Sequence, residues 1–207
     1  MEGIMGVVLA GGLSRRMGGQ DKAFLRFGGQ TFLQRTLERL EHQVDTLRIS
    51  ANGDPSRFAM FGLPVIGDSR PDQLGPLSGI ESVFMNTETS WVLSVPVDLP
   101  FLPLDLARRL SEAASIGGAK PVMATSLGRV HPVVCLWPRT ALPAIRAALD
   151  ANERRLLDWF TIHAHHQVDF SPSDPQTQPD PFLNLNDPVA LERAERWLDP
   201  AAHGAAG

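Results

Sequence analysis

The sequence predicts an α/β fold of three layers, with helices on both faces of a mostly parallel sheet. Apolar strand-like runs alternate with amphipathic segments along the chain, which is the order such a fold requires. The first run is apolar without interruption, as suits a strand buried on both faces. Polar residues that could bind a ligand follow successive runs, where ligands of open α/β sheets gather.

That first run is Ile4-Met5-Gly6-Val7-Val8-Leu9-Ala10. Thr31 to Val44 then sets Phe32, Leu33, Thr36, Leu37, Leu40 and Val44 on one stripe, so a crossover helix is expected. Leu47 to Ala51, Pro64 to Gly67 and Trp91 to Val95 read as the next three strands. Between the last two, Pro76 to Met85 can open a helix with proline in its first turn. Leu104 to Ala114 is a further helix, and Lys120 to Thr125 with Val130 to Trp137 are strands around a turn at Leu127-Gly128-Arg129. Ser171 to Pro181 is a loop by composition. Asp187-Pro188 reads as a cap and first turn of a last helix reaching about Leu198. No internal repeat occurs, and the expected organisation is one domain over residues 1–200 with a disordered tail over 201–207.

A chain of 207 residues that is 43% hydrophobic can bury a sizeable core. Its net charge of −4 provides no general basic field, so neither nucleic acid nor an anionic membrane is an expected partner. The single cysteine, Cys135, excludes an internal disulfide and fits a reducing, cytoplasmic compartment; its apolar neighbours make it a small core residue. No apolar stretch approaches the ~20 residues that span a bilayer, and no signal-peptide pattern opens the chain.

Positive charge is instead concentrated after the first strand, in Leu9 to Lys22, LAGGLSRRMGGQDK. Gly11, Gly12, Gly18 and Gly19 let backbone N–H groups close on an anion, while Arg15, Arg16 and Lys22 add full charges. The sequence contains neither G-x-x-x-x-G-K-[ST] nor G-x-G-x-x-G, which argues against an ordinary P-loop ATPase and a dinucleotide dehydrogenase. Asp98 ends a strand between Pro96 and Pro100, a stiff rim position for a carboxylate beside the magnesium of a triphosphate, or for an Asx-turn. Asp68 can accept from a base edge or a ribose, or cap a turn; Asn52-Gly53 is a ligand contact or a turn. His131 before Pro132 reads as an edge histidine in a turn. His163, His165 and His166 are too few and too close for a structural zinc site.

These motifs resemble the molybdenum cofactor guanylyltransferases, the MobA family. The resemblance rests on Leu9-Ala10-Gly11-Gly12, Ser14, Arg16-Met17-Gly18, Asp21-Lys22, Asp68, Gly75-Pro76-Leu77-Ser78-Gly79, Pro96-Val97-Asp98-Leu99-Pro100, His131-Pro132 and Asn184-Leu185-Asn186-Asp187-Pro188. It spans nearly the whole chain. It implies a Rossmann-like nucleotidyltransferase sheet and transfer of GMP from GTP to the terminal phosphate of Mo-molybdopterin, with pyrophosphate released. It further implies Leu9, Ala10, Gly11, Gly12, Lys22, Asn52, Asp68 and Asp98 at GTP, Mg2+ on Asp98, and Arg16, Lys22 and Asp98 as the catalytic set. Arg154, Arg155, Asn184 and Asn186 are its pterin-side candidates, a solvated helix face being the equal alternative for the two arginines and a helix start for Asn186; the expected partners are GTP, Mo-molybdopterin and molybdoenzyme maturation proteins. Gly11-Gly12 sides with guanine, since the similar cytidylyltransferases tend to carry LAAG. A CTP-using or sugar-phosphate nucleotidyltransferase shares the loop and aspartate, and a non-catalytic nucleotide or cofactor carrier is the alternative of another class.

Overall fold

The computed structural model describes residues 3–11, 13–14, 20–70, 75–185 and 188–198. The chain runs through β1 (Ile4–Leu9), β2 (Leu13–Ser14), β3 (Gln20–Asp21), β4 (Arg26–Phe27), β5 (Gln30–Thr31), α1 (Phe32–Leu40), β6 (Thr46–Ser50), β7 (Val65–Ile66) and α2 (Pro76–Met85). It continues through β8 (Trp91–Pro96), α3 (Leu106–Gly117), β9 (Val122–Ser126), β10 (Arg129–Pro138), α4 (Leu142–Asp150), α5 (Leu156–Ile162), β11 (His166–Asp169) and α6 (Pro188–Glu195).

Seven strands form one sheet in the order β11-β9-β10-β8-β1-β6-β7, while β2-β3 and β4-β5 are separate two-stranded ribbons. Strand β10 is antiparallel to both of its neighbours, and the other pairings in the large sheet are parallel. Leu9 stands opposite Ser50 on one side and Pro96 on the other, so β6, β1 and β8 finish level. The segments that follow them therefore start from one rim.

Alternation along β1 divides the interior into two cores. Ile4 and Val8 pack with Leu33, Leu37 and Leu40 of α1 and with Leu106 and Leu110 of α3. Met5 and Val7 face the other way, toward Leu77, Ile80 and Phe84 of α2, Ile145 of α4 and Trp159 of α5. Two-sided burial explains why this strand reads as a continuous apolar run. The second core closes around Trp137, whose ring lies 5.3 Å from Trp159 and 5.2 Å from Phe160. Aromatic clusters of this kind add roughly 0.5–1.5 kcal/mol per pair beyond burial. No helix among the described residues is long and apolar enough to cross a membrane.

Several boundaries differ from those expected. Thr31 caps α1, its Oγ1 accepting from Gln34 N at 3.1 Å, but the helix ends at Leu40 rather than Val44. Gln43 diverts the chain: its side-chain amide donates to Pro103 O at 2.9 Å, and its oxygen accepts from Ala107 N at 3.0 Å. Helix α3 starts two residues later than expected, leaving Leu104 exposed, and stops before Gly118 at φ 82. The strand expected from Lys120 begins at Val122, and the final helix ends at Glu195.

Helices α4 and α5 and strand β11 carried no clear signal. Helix α5 has seven residues, short of two helical periods, and β11 alternates half-buried with exposed positions and lacks an apolar run. His131 lies within β10 and is half-buried, not in a turn. The ladder to β9 shifts register between His131 and Cys135, where Pro132 has no N–H to give.

Candidate active site

The turn after β8 is fastened from several directions. Val97 N donates to Leu9 O at 3.3 Å, and Val97 O accepts from the buried Thr36 hydroxyl of α1 at 3.1 Å. Asp98 O accepts from Leu185 N at 3.4 Å, so the segment before α6 lies against the same turn. The Asp98 carboxylate is thus held on the rim, and its Oδ2 accepts from Lys22 Nζ at 2.7 Å. Their side chains are 6% and 23% exposed, so the aspartate is almost fully desolvated while the lysine keeps access to solvent. Lys22 opens a 3-10 turn, Lys22–Phe24, capped by Asp21, whose Oδ1 accepts from Ala23 N at 3.0 Å.

A second polar pair lies across β1. Asn52 Nδ2 donates to Asp68 Oδ2, and Asp68 N donates to Asn52 Oδ1, both at 2.8 Å. This reciprocal pair binds the ends of β6 and β7 together and uses the Asn52 amide internally. Asp68 lines the cleft with one carboxylate oxygen, Oδ2, engaged by Asn52. Neither residue serves as the helix cap that its type allows.

Beside this second pair runs a cleft of about 590 Å³ lined by Leu9, Ala10, Gly11, Asp21, Ser50, Ala51, Asn52, Gly53, Arg57, Asp68, Gly75, Pro76 and Gly79. Its floor exists because Gly79 lacks a side chain: a Cβ there meets Ser50 Oγ at 2.8 Å and Leu9 Cδ2 at 3.1 Å. At Gly75, which precedes α2 with φ +79, a Cβ meets the carbonyl of Arg154 at 3.8 Å. The Asn152 to Arg155 loop accordingly flanks the start of α2. Arg154 is exposed and its Nε donates to Asn152 Oδ1 at 2.8 Å; Arg155 lies 3.7 Å from Asp158. Neither arginine lies on a helix.

His131 is tied into a separate knot near this rim. The buried hydroxyl of Ser126 contacts His131 Nε2 and donates to Asp180 Oδ1, each at 2.7 Å. Burial pushes the imidazole pKa down, with Asp180 opposing and Arg129 adding to the fall. Asn184 is exposed beside Leu185. Gly12, Arg15, Arg16, Gly18, Gly19, Asn186 and Asp187 lie outside the described residues.

The sequence reading missed Arg57, which lies in the 3-10 turn Pro55–Phe61 and lines the cleft. The available signal was its position: Asp54-Pro55 starts a turn directly after Asn52-Gly53, and Arg57 is the first cation beyond it. Among the described residues no three Asp, Glu, His or Cys side chains converge on a metal position. Magnesium carried by a triphosphate keeps several waters and needs only one or two carboxylates, a requirement that the rim carboxylate of Asp98 fits. The three neighbouring histidines diverge: His163 stacks on Trp159, His165 meets Phe160 edge-on, and His166 Nε2 bonds Gly117 O.

The family model of the MobA-like NTP transferase domain matches residues 6–168. The chain is 44% identical over 195 residues to the molybdenum cofactor guanylyltransferase of Rhodopseudomonas palustris (strain BisB5), covering 92% of this chain and 91% of that one. It is 43% identical over 200 residues to the protein of the same name from Mesorhizobium japonicum, covering 94% and 96%. Among solved structures, molybdopterin-guanine dinucleotide biosynthesis protein A from Archaeoglobus fulgidus shares the fold, with a TM-score of 0.75 at 18% identity over 93% of this chain and 97% of that one.

Proposed function

Because this chain belongs to the MobA-like NTP transferase family, among its molybdenum cofactor guanylyltransferases, we propose that it moves GMP from GTP to the terminal phosphate of Mo-molybdopterin. The observation that best supports this is the polarity of the rim. The Asn52–Asp68 pair and the backbone after β1 line a nucleotide-sized cleft, and a cation–carboxylate pair, Lys22 with Asp98, stands on the same rim, Lys22 next in sequence to the cleft-lining Asp21.

The triphosphate lies over the end of β1 toward Lys22, and the nucleoside extends toward Asn52 and Asp68. The backbone of Leu9, Ala10 and Gly11 forms the edge along which the nucleotide lies. Asp98 would hold the magnesium that accompanies GTP, and that ion would supply positive charge beside the phosphate oxygens. An oxygen of the molybdopterin phosphate attacks the α-phosphorus in line, and the bond to the β-phosphate oxygen breaks. That attacking oxygen is already anionic, so no strong base is needed; positioning and charge neutralisation do the work.

Lys22 carries the second function, since its ammonium can turn from Asp98 to the phosphates while remaining within reach of both. Arg16 belongs to the same group through its place in the loop. Arg154, Arg155, Asn184 and Asn186 serve the acceptor side, where the Asn152 to Arg155 loop flanks α2.

The test is incubation of the purified chain with Mg2+, GTP labelled in the guanosine and Mo-molybdopterin. Label joining the pterin with stoichiometric pyrophosphate, and no reaction with CTP, is the expected result. GTP binding without transfer overturns the assignment in favour of another acceptor or a carrier.

A further inference from the structure

We propose that Arg57 is the residue that reads guanine, donating to O6 and N7 of the base. This rests on the guanylyltransferase reading above, which supplies the nucleotide and its direction in the cleft.

Arg57 is held by two aromatic rings and a carboxylate. Its guanidinium lies 5.1 Å from the ring centre of Phe58 and 5.7 Å from that of Phe24, and these rings stack on each other at 5.4 Å. Asp21 Oδ2 accepts from Arg57 Nη2. Two aromatic faces and one carboxylate therefore fix the plane of the group at little further entropic cost on binding. The side chain is still 40% exposed and borders the cleft, so its remaining N–H donors are open to a ligand.

The direction of the nucleotide selects what reaches it. Asp98 follows β8 on one side of β1, while Asn52 and Asp68 follow β6 and β7 on the other. With the phosphates at Lys22 and Asp98, the nucleoside falls at Asn52, Gly53, Asp68 and Arg57. This end offers a fork of donors and a carboxylate acceptor. Guanine pairs two adjacent acceptors, O6 and N7, with donors at N1 and N2, and a guanidinium is the usual bidentate partner of the acceptor edge. Adenine places an amino group where Arg57 needs an acceptor, and cytosine lacks the N7 position. The tether through Asp21 also links this reading to the phosphate loop, because the residue after Asp21 is Lys22.

Calorimetric titration of the intact protein with GTP, ITP, 7-deaza-GTP and ATP tests the proposal. Wild type should bind 7-deaza-GTP about tenfold or more weakly than GTP, and ITP, which keeps O6 and N7 and lacks only the N2 donor, should lose the same factor as GTP when Arg57 is replaced. Arg57→Gln should bind GTP at least as weakly as wild type binds 7-deaza-GTP, and should not distinguish the two. Arg57→Lys, which keeps the charge and loses the fork, should also lose most of the preference. Circular dichroism confirms folding of each variant.

Equal losses of GTP and 7-deaza-GTP affinity in Arg57→Gln overturn the proposal, because they place Arg57 on ribose, phosphate or structure. So does a variant that still prefers GTP. If wild type itself binds no GTP, the underlying guanylyltransferase reading fails. If wild type prefers GTP to ATP and Arg57→Gln does so equally, only the role of Arg57 fails.

Discussion

Replacing Lys22 by Met removes one partner of a 2.7 Å ion pair whose aspartate is 6% exposed. At that distance the gross Coulomb attraction is about 6 kcal/mol at an effective dielectric near 20, most of it offset by the desolvation of Asp98. Removing one partner of a fully buried pair costs about 3–5 kcal/mol, and solvent access to Lys22 reduces this to about 2–3 kcal/mol here. Urea unfolding should show that loss. It should shrink in the Lys22→Met, Asp98→Asn double variant, because an uncompensated carboxylate no longer remains. The coupling in this cycle should be about 1–3 kcal/mol. Turnover is a separate measurement: pyrophosphate release from GTP with Mo-molybdopterin should fall by roughly two to three orders of magnitude in Lys22→Met, as for other donors aimed at developing charge. A variant within threefold of wild-type kcat, or a cycle with no coupling, refutes the reasoning.

Three other outcomes follow from the packing. Gly79→Ala should destabilise by about 1–3 kcal/mol and raise KM for GTP, since its Cβ would overlap Ser50 Oγ and press α2 away from the cleft floor; unchanged stability in urea would show that the floor yields. His131 has its pKa lowered by burial, so its contribution is present above the unfolded value near 6.5 and is lost as pH falls through the folded value. Unfolding free energies measured from pH 8 to pH 5 should therefore decline toward acid, and His131→Gln should flatten that decline. Cys135 is fully buried with its thiol pKa pushed up, so a thiol reagent should label it only at the rate of unfolding; rapid labelling of the native protein would contradict the core placement.

The sheet was legible where burial wrote a pattern. Ile4–Leu9 and Trp91–Pro96 are covered on both faces and read as apolar runs; Asp98, Asn52 and Asp68 follow the strand ends, and Lys22 closes the Gly-rich segment after the first of them. Strand β11 escaped because an edge strand with one half-buried face carries little hydrophobic signal, and α5 because seven residues do not complete two helical periods. The pairing of Asn52 with Asp68 joins residues 16 apart in sequence, and no local pattern encodes it. Arg57 was hidden for the same reason: its partners Asp21 and Phe24 belong to a segment more than thirty residues earlier. Motif spacing marks which residues meet a ligand; tertiary pairing decides which way they point.

Strand β1 is made first and yet lies inside the sheet, between β6 and β8. During synthesis it emerges long before Trp91–Pro96 can cover its second edge, and the Asp98 turn gains its contact with Leu185 only when most of the chain has appeared. For that interval one edge of an apolar strand lacks its partner, the kind of exposed edge that favours association between incomplete chains. Substitutions that weaken the pairing of β8 with β1 should therefore lower the yield of folded protein in cells more than the specific activity of the molecules that complete folding.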